Sequence, residues 1–252
     1  MAVERTEHVM GMPVTAHVRD RGFAAAALDA AFAWLREVDA LFSTYRPESE
    51  ISRLDAGTLA LADADPLVRA VLGRCEALRL ETGGYFDARA RGALDPSGLV
   101  KGWALERAAA LVDAGSLCLD GGGDLVLRGG PWRVGIRHPL ERDRQCAVLE
   151  LREGAVATSA TYERGEHIAD PHTGRPPRGV LSVTVTGPEL ARADAYATAA
   201  FAMAEAGPAW TAGLPAGYEA MTVLEPGRVL CTPGFSGRSP RARRPPAPAP
   251  AG

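Results

Sequence analysis

Apolar residues recur at helical spacing between Phe23 and Phe42, with Phe23, Ala27, Ala31, Leu35 and Val38 on one face, and predict a first helix there. A second helix opens at Asp65-Pro66, Asp as N-cap and Pro in the first turn. It runs through Val68, Val71, Cys75 and Leu78 and stops at Gly83-Gly84. A third is predicted from Asp95-Pro96 to Gly115, and a fourth over Ala193–Ala206, stopped by Gly207. Residues 7–19 read as a strand broken at Gly11 and Pro13. Short β-type runs follow at Leu117–Leu127, Trp132–Arg137, Ala147–Leu151, Val156–Ser159 and Leu181–Thr186. Tyr218–Leu224 and Val229–Thr232, joined by Glu225-Pro226-Gly227-Arg228, form a final hairpin. Helices grouped between runs of antiparallel-looking strands predict an α+β fold, not a wound parallel sheet. Residues 1–235 are expected to form one domain. The Arg/Pro/Ala-rich stretch 236–252 has almost no apolar bulk and reads as a disordered tail.

Composition narrows the function. With 252 residues, 46% of them hydrophobic, the chain can bury a substantial core. A net charge of −3 argues against a general nucleic-acid or anionic-membrane binder. No segment reads as a signal peptide or a bilayer span, so a cytoplasmic protein is expected, without membrane insertion. Cys75, Cys118, Cys146 and Cys231 are far apart in sequence and read as buried thiols in a reducing compartment. Among 28 basic residues there is one lysine, Lys101. Its retention in an arginine-rich chain suggests a position where a compact ammonium is needed and a planar guanidinium does not serve.

The neighbours of Lys101 support that reading. Asp95-Pro96 can start a helix, whose N-terminus offers N–H groups and positive potential to a phosphate, with Lys101 about two turns in. Gly98 permits close approach to the backbone, so its carbonyl can act as a ligand. Asp194 and Thr198, at i and i+4, lie on one helix face among alanines, a hard-oxygen pair suited to Mg²⁺. Alone, the pair is equally a dipole-stabilised Asp and a Thr bonded to its own helix. His167 and Asp170 precede a turn at Pro171, and a histidine is the default general base near neutral pH. Gly121-Gly122-Gly123-Asp124 follows a β-run but is no dinucleotide fingerprint, and no P-loop or nucleophile elbow is present.

Taken in order, these segments resemble one family. His8-Val9-Met10-Gly11-Met12-Pro13, Phe42-Ser43-Thr44-Tyr45 through Ser52, Thr82-Gly83-Gly84-Tyr85-Phe86-Asp87, Asp95 to Lys101-Gly102, Gly122-Gly123-Asp124, Thr158-Ser159, His167-Ile168-Ala169-Asp170-Pro171 and Asp194 to Thr198 are similar to successive motifs of the ApbE-type FAD:protein FMN transferases. The resemblance covers roughly residues 7–235. It implies an ApbE-like arrangement of helices and antiparallel sheet around a flavin cleft. It implies Mg²⁺-dependent cleavage of FAD, transfer of FMN to a Thr or Ser hydroxyl of an acceptor flavoprotein, and release of AMP. By position, Met10, Tyr45, Tyr85, Phe86, Asp87, Asp95, Lys101, His167 and Ile168 would line the FAD site. Gly98, Asp194 and Thr198 would hold Mg²⁺. Lys101 would neutralise developing pyrophosphate charge, His167 would accept the proton of the attacking hydroxyl, and Asp170 would orient His167 or the adjacent turn. The chain departs from the family in lacking the long insertion between Asp87 and Asp95, in carrying Ala160 after Thr158-Ser159, in a shortened Tyr162–His167 stretch, and in having no export signal. Two other readings share the scaffold: an FAD pyrophosphatase yielding FMN and AMP, and an inactive flavin-binding module.

Overall fold

The computed structural model describes residues 2–141, 143–161 and 168–235. Eight strands form one antiparallel sheet in the order β1-β2-β3-β4-β7-β8-β9-β10: β1 (Val3–Val9), β2 (Met12–Val18), β3 (Leu117–Gly121), β4 (Asp124–Arg128), β7 (Gly154–Ala160), β8 (Val180–Gly187), β9 (Glu219–Leu224) and β10 (Arg228–Cys231). A separate hairpin pairs β5 (Trp132–Arg137) with β6 (Gln145–Leu151). Helices α1 (Asp29–Phe42), α2 (Glu50–Asp55), α3 (Pro66–Glu81) and α4 (Ser97–Ala110) enter between β2 and β3. Helices α5 (Leu190–Ala202) and α6 (Gly207–Thr211) enter between β8 and β9.

The central strands are buried on both faces, so alternation sorts their side chains between two cores. Leu117 and Leu119, Ala155 and Ala157, and Val183 and Val185 join the large cluster under the helices. Cys118 and Val156 point the other way, into a smaller cluster that the β5–β6 hairpin closes with Trp132, Ile136 and Leu149; Leu181 joins it because a register shift between Val180 and Ser182 interrupts the alternation of β8. The β1 edge instead alternates half-buried and exposed positions and carries Glu4, Arg5 and Glu7, which discourages pairing with a further strand. Strand β8 is buried from Val180 to Val185, Ser182 and Thr184 included, because both of its faces are covered there.

Four sequence expectations change. The stretch 7–19 is not one broken strand, because Met10 (φ 55°) and Gly11 (φ 73°) reverse the chain and make two. The run Leu117–Leu127 likewise splits, with Gly122 and Gly123 (φ 65° and 97°) forming the turn. The third helix ends at Ala110 and not at Gly115: Leu111 and Val112 N–H bond to the carbonyls of Ala108 and Ala109, tightening the last turn. Gly207 opens a helix instead of stopping one, since the break falls earlier, at Ala204 (φ 52°). Helix α2 has no periodic signal of its own. Ser49 begins it by accepting the Ser52 N–H at 3.1 Å while its own hydroxyl donates to the Ser43 carbonyl at 2.5 Å. The cysteines are all free, but only Cys75 and Cys118 are buried; Cys146 is half-buried and Cys231 exposed. Among the described residues no helix is long and apolar enough to cross a membrane.

Helix α4 is the central piece. Trp34 of α1 donates its indole N–H to the Ala104 carbonyl at 3.1 Å, and Trp34 and Phe42 meet Trp103 edge-on at 5.3 and 5.6 Å. On its other side α4 runs antiparallel to α5, as the contacts of Gly98 with Thr198, Lys101 with Asp194 and Gly102 with Ala191 show. A Cβ at Gly102 would lie 2.8 Å from Ala191 Cα and N and from Leu190 C. Helix propensity alone favours Gly102→Ala by roughly 1 kcal/mol. We expect the reverse here, destabilisation of about 1–3 kcal/mol, because the added methyl meets backbone that cannot rotate away. Chemical denaturation of the variant decides between them, and a stabilised Gly102→Ala would refute the close packing.

Candidate functional site

The α4–α5 seam gathers the charged groups. Lys101 Nζ lies 2.5 Å from Asp124 Oδ2 and 3.7 Å from Asp194 Oδ2. Asp124 and Asp194 are almost fully buried, whereas the lysine side chain keeps a 19% opening to solvent. Asp124 is the first residue of β4, placed under α4 by the Gly122-Gly123 turn, and its Oδ1 accepts the Thr158 N–H at 3.1 Å. One turn toward the start of α4, Gly98 faces both Phe86 and Thr198. A Cβ built there would meet Phe86 Cε2 at 3.2 Å and Thr198 Oγ1 at 3.8 Å. Thr198 Oγ1 also lies 3.4 Å from Ser159 Oγ at the end of β7. A carboxylate, two hydroxyls and the backbone of a glycine therefore share one corner with an ammonium, buried at Asp194 and Ser159 and half-buried at Thr198, Gly98 and Lys101. Among the described residues no group of three or more His, Cys, Asp or Glu has the geometry of a metal cage. The oxygen donors here are of the sparse kind that leaves most of a Mg²⁺ shell to water and substrate.

A second cluster adjoins the first through consecutive residues. Tyr85 packs edge-on against His172 with ring centroids 4.5 Å apart, and His172 Nε2 lies 3.1 Å from the Gly83 carbonyl oxygen. Phe86, next in sequence, is buried over Gly98, and its N–H donates to Thr82 Oγ1 at 3.0 Å. Asp170 organises the following turn: Oδ1 accepts the His172 N–H and Oδ2 the Thr173 hydroxyl, both at 2.9 Å. Ile168 is buried in the main core. His167 lies outside the described residues.

The remaining sequence-derived candidates have separate surroundings. Asp95 accepts the Ser97 N–H at 3.0 Å, ahead of the first turn of α4. Asp87 accepts the Arg89 N–H at 2.7 Å and borders a groove of about 530 Å³ floored by Leu54, Leu72, Cys75 and Leu94. Met10 occupies the β1–β2 turn and packs against the rim of the main core. Tyr45 is 92% exposed, between α1 and α2. Sequence reasoning did not assign Asp124, Ser159 or His172 to the site. The signal for Asp124 lay in the paired glycines before it, which set a buried acid at the start of a strand.

Glu106 fixes the start of α5. Its carboxylate accepts the Leu190 and Ala191 N–H groups, replacing the side-chain cap that Glu189 does not supply. Burial pushes the Glu106 carboxyl above its ordinary value of 4.5, with the two backbone donors opposing that shift. A raised acid holds its proton more tightly folded than unfolded, so stability falls as pH rises from 4.5 through the raised value. Glu106→Gln removes that slope. Thermal melts between pH 4 and about 7 are expected to show wild type losing ground to the variant as pH increases. Parallel curves would contradict the assignment.

Similarity to known proteins gives the family and the fold. The ApbE family profile matches residues 10–92 and 88–222. This chain belongs to the ApbE family. A FAD:protein FMN transferase of Rhodobacter capsulatus is 34% identical over 183 residues, covering 66% of this chain and 32% of that relative. The chain thus spans about a third of its length. The ApbE protein of Thermotoga maritima superposes with a TM-score of 0.82 at 23% identity, covering 93% of this chain and 98% of the other. The flavin transferase ApbE of Vibrio cholerae gives 0.80 at 22% identity, with coverage of 93% and 98%. These likenesses establish the fold, mixed helices with an antiparallel sheet.

Proposed function

We propose that this ApbE-family chain transfers FMN from FAD to a Thr or Ser hydroxyl of an acceptor flavoprotein, with Mg²⁺, releasing AMP. The observation that carries the reading is the half-buried corner of the α4–α5 seam, where Lys101, the buried Asp194, Thr198 and the Gly98 backbone converge. Among the described residues one ammonium stands beside two buried carboxylates, an excess of negative charge that suits a divalent cation. Family membership and the likeness to a FAD:protein FMN transferase support the same reaction.

Asp194, Thr198 and the Gly98 carbonyl would hold Mg²⁺. The ion would supply Lewis-acid stabilisation of the pyrophosphate oxygens. Lys101, partly open to solvent, adds a point charge beside the same oxygens as the P–O bond to AMP lengthens. The acceptor hydroxyl attacks the FMN-side phosphorus, the P–O bond to the AMP phosphate breaks, and AMP leaves with the electron pair. We assign His167 the proton of the attacking hydroxyl. We assign Asp170 the orientation of His167 or of the adjacent turn, in which it accepts the His172 N–H and the Thr173 hydroxyl. Tyr85 and Phe86 offer ring surface beside the seam for a flavin or adenine. Cytoplasmic residence is part of this proposal and rests on the sequence alone.

Incubation with FAD and Mg²⁺, with and without a Thr-bearing flavoprotein, tests the reading through AMP release and in-gel flavin fluorescence. AMP with a fluorescent acceptor band is expected. AMP with free FMN and no band would make the protein a pyrophosphatase, and absence of AMP would leave a flavin-binding module. Asp194→Ala should lower Mg²⁺-dependent turnover by on the order of 10² or more. Full activity with an unaltered Mg²⁺ response would defeat the metal assignment. Lys101→Arg keeps the charge but brings a planar fork into a seam built for an ammonium. Turnover should fall about tenfold or more with little change in melting temperature.

A further inference from the structure

Lys101 is flanked by two buried carboxylates at unequal distances, 2.5 Å to Asp124 and 3.7 Å to Asp194. The inequality has a structural origin. Asp124 sits at the first position of β4, and its second oxygen is tied to the Thr158 N–H of β7, so its place is fixed by sheet backbone. Asp194 rides on α5, whose distance from α4 is set by Gly102. The ammonium therefore pairs with the sheet and stands off from the helix.

We propose that Asp124 is a positioning residue. It holds the Lys101 ammonium away from Asp194, so that the Asp194–Thr198 corner keeps the negative potential a divalent cation needs. The inference rests on the metal reading given above. Among the described residues Asp194 is the other carboxylate within 4 Å of the ammonium, so without the Asp124 charge Lys101 closes on Asp194. The ammonium then becomes an internal competitor for the cation. The role belongs to Asp124 through Lys101, so removing the lysine as well must undo the damage. Direct ligation by Asp124 predicts no such rescue, and a purely structural role predicts rescue of the melting temperature with no change in Mn²⁺ affinity.

Mn²⁺ serves as the probe, titrated without FAD into the full chain and followed by the EPR signal of the free ion, alongside the Mg²⁺-dependent rise in melting temperature. Asp124→Asn should weaken Mn²⁺ binding about tenfold or more. Lys101→Met in the same chain should return affinity to within about threefold of wild type, and Lys101→Met alone should bind at least as tightly as wild type. Unchanged affinity in Asp124→Asn, or weakened affinity that the second substitution does not restore, overturns the positioning role. If Asp124→Asn does not fold, Lys101→Met alone decides, and weaker binding in that variant overturns the inference. Failure of the underlying metal reading looks different: wild type and Asp194→Ala would then be alike in their Mn²⁺ response, and the inference falls with it.

Discussion

The close approach of α4 to α5 at Gly102 is the constraint on which the other features depend. Two helices in backbone contact at one point have their neighbouring residues fixed in register. In this antiparallel pair that brings Gly98 opposite Thr198, Lys101 opposite Asp194, and Glu106 against the start of α5. A larger residue at the contact would push the seam open and separate every one of these pairs together. The surrounding packing serves the same contact. Trp34, Trp103 and Phe42 brace α4 from the side of α1, while Leu105 packs so tightly on Gly121 that a Cβ there would lie 2.4 Å from its Cδ1.

Charge within the seam follows from which element carries each group. The lysine and the glycine come from α4, the acid and hydroxyl of one pair from α5, and the second acid and second hydroxyl from the sheet through β4 and β7. Three elements with separate supports thus converge on one corner. Such an arrangement is stiffer than a site assembled from one loop, because no single segment can move without breaking packing elsewhere. The Tyr85–His172 contact adds a fourth support by tying the turn at Asp170 to the end of α3.

Much of the element list was legible because period and punctuation agreed. Asp65-Pro66 marked the start of α3, and the β-runs from Trp132 to Thr186 fell where strands formed. Failures came where a single backbone torsion overrode the pattern, as at Met10-Gly11, Gly122-Gly123 and Ala204. No periodicity reports a positive φ in Met or Ala. The pair Asp194 and Thr198 was readable from i,i+4 spacing, and Lys101 from its solitude in the composition. Their meeting was not, since it depends on a helix contact between residues about ninety positions apart in sequence, which only the fold supplies. Tyr45 shows the converse: its place in a motif gave no information about its exposure.

Strand β2 pairs with β3 through Val18 and Leu117, with four helices strung between them. Closing a loop of roughly a hundred residues costs about 4 kcal/mol of chain entropy before any contact across it is made. During synthesis the β1–β2 hairpin emerges well before β3 and has no sheet to join until β3 has been made. A lone two-stranded ribbon is marginal in water, so this hairpin gains no lasting protection until β3 has been made. Helix α4, which ends shortly before β3, is complete just as the waiting hairpin acquires its partner. The order of appearance along the chain thus lets the helical layer be present when the sheet closes over it.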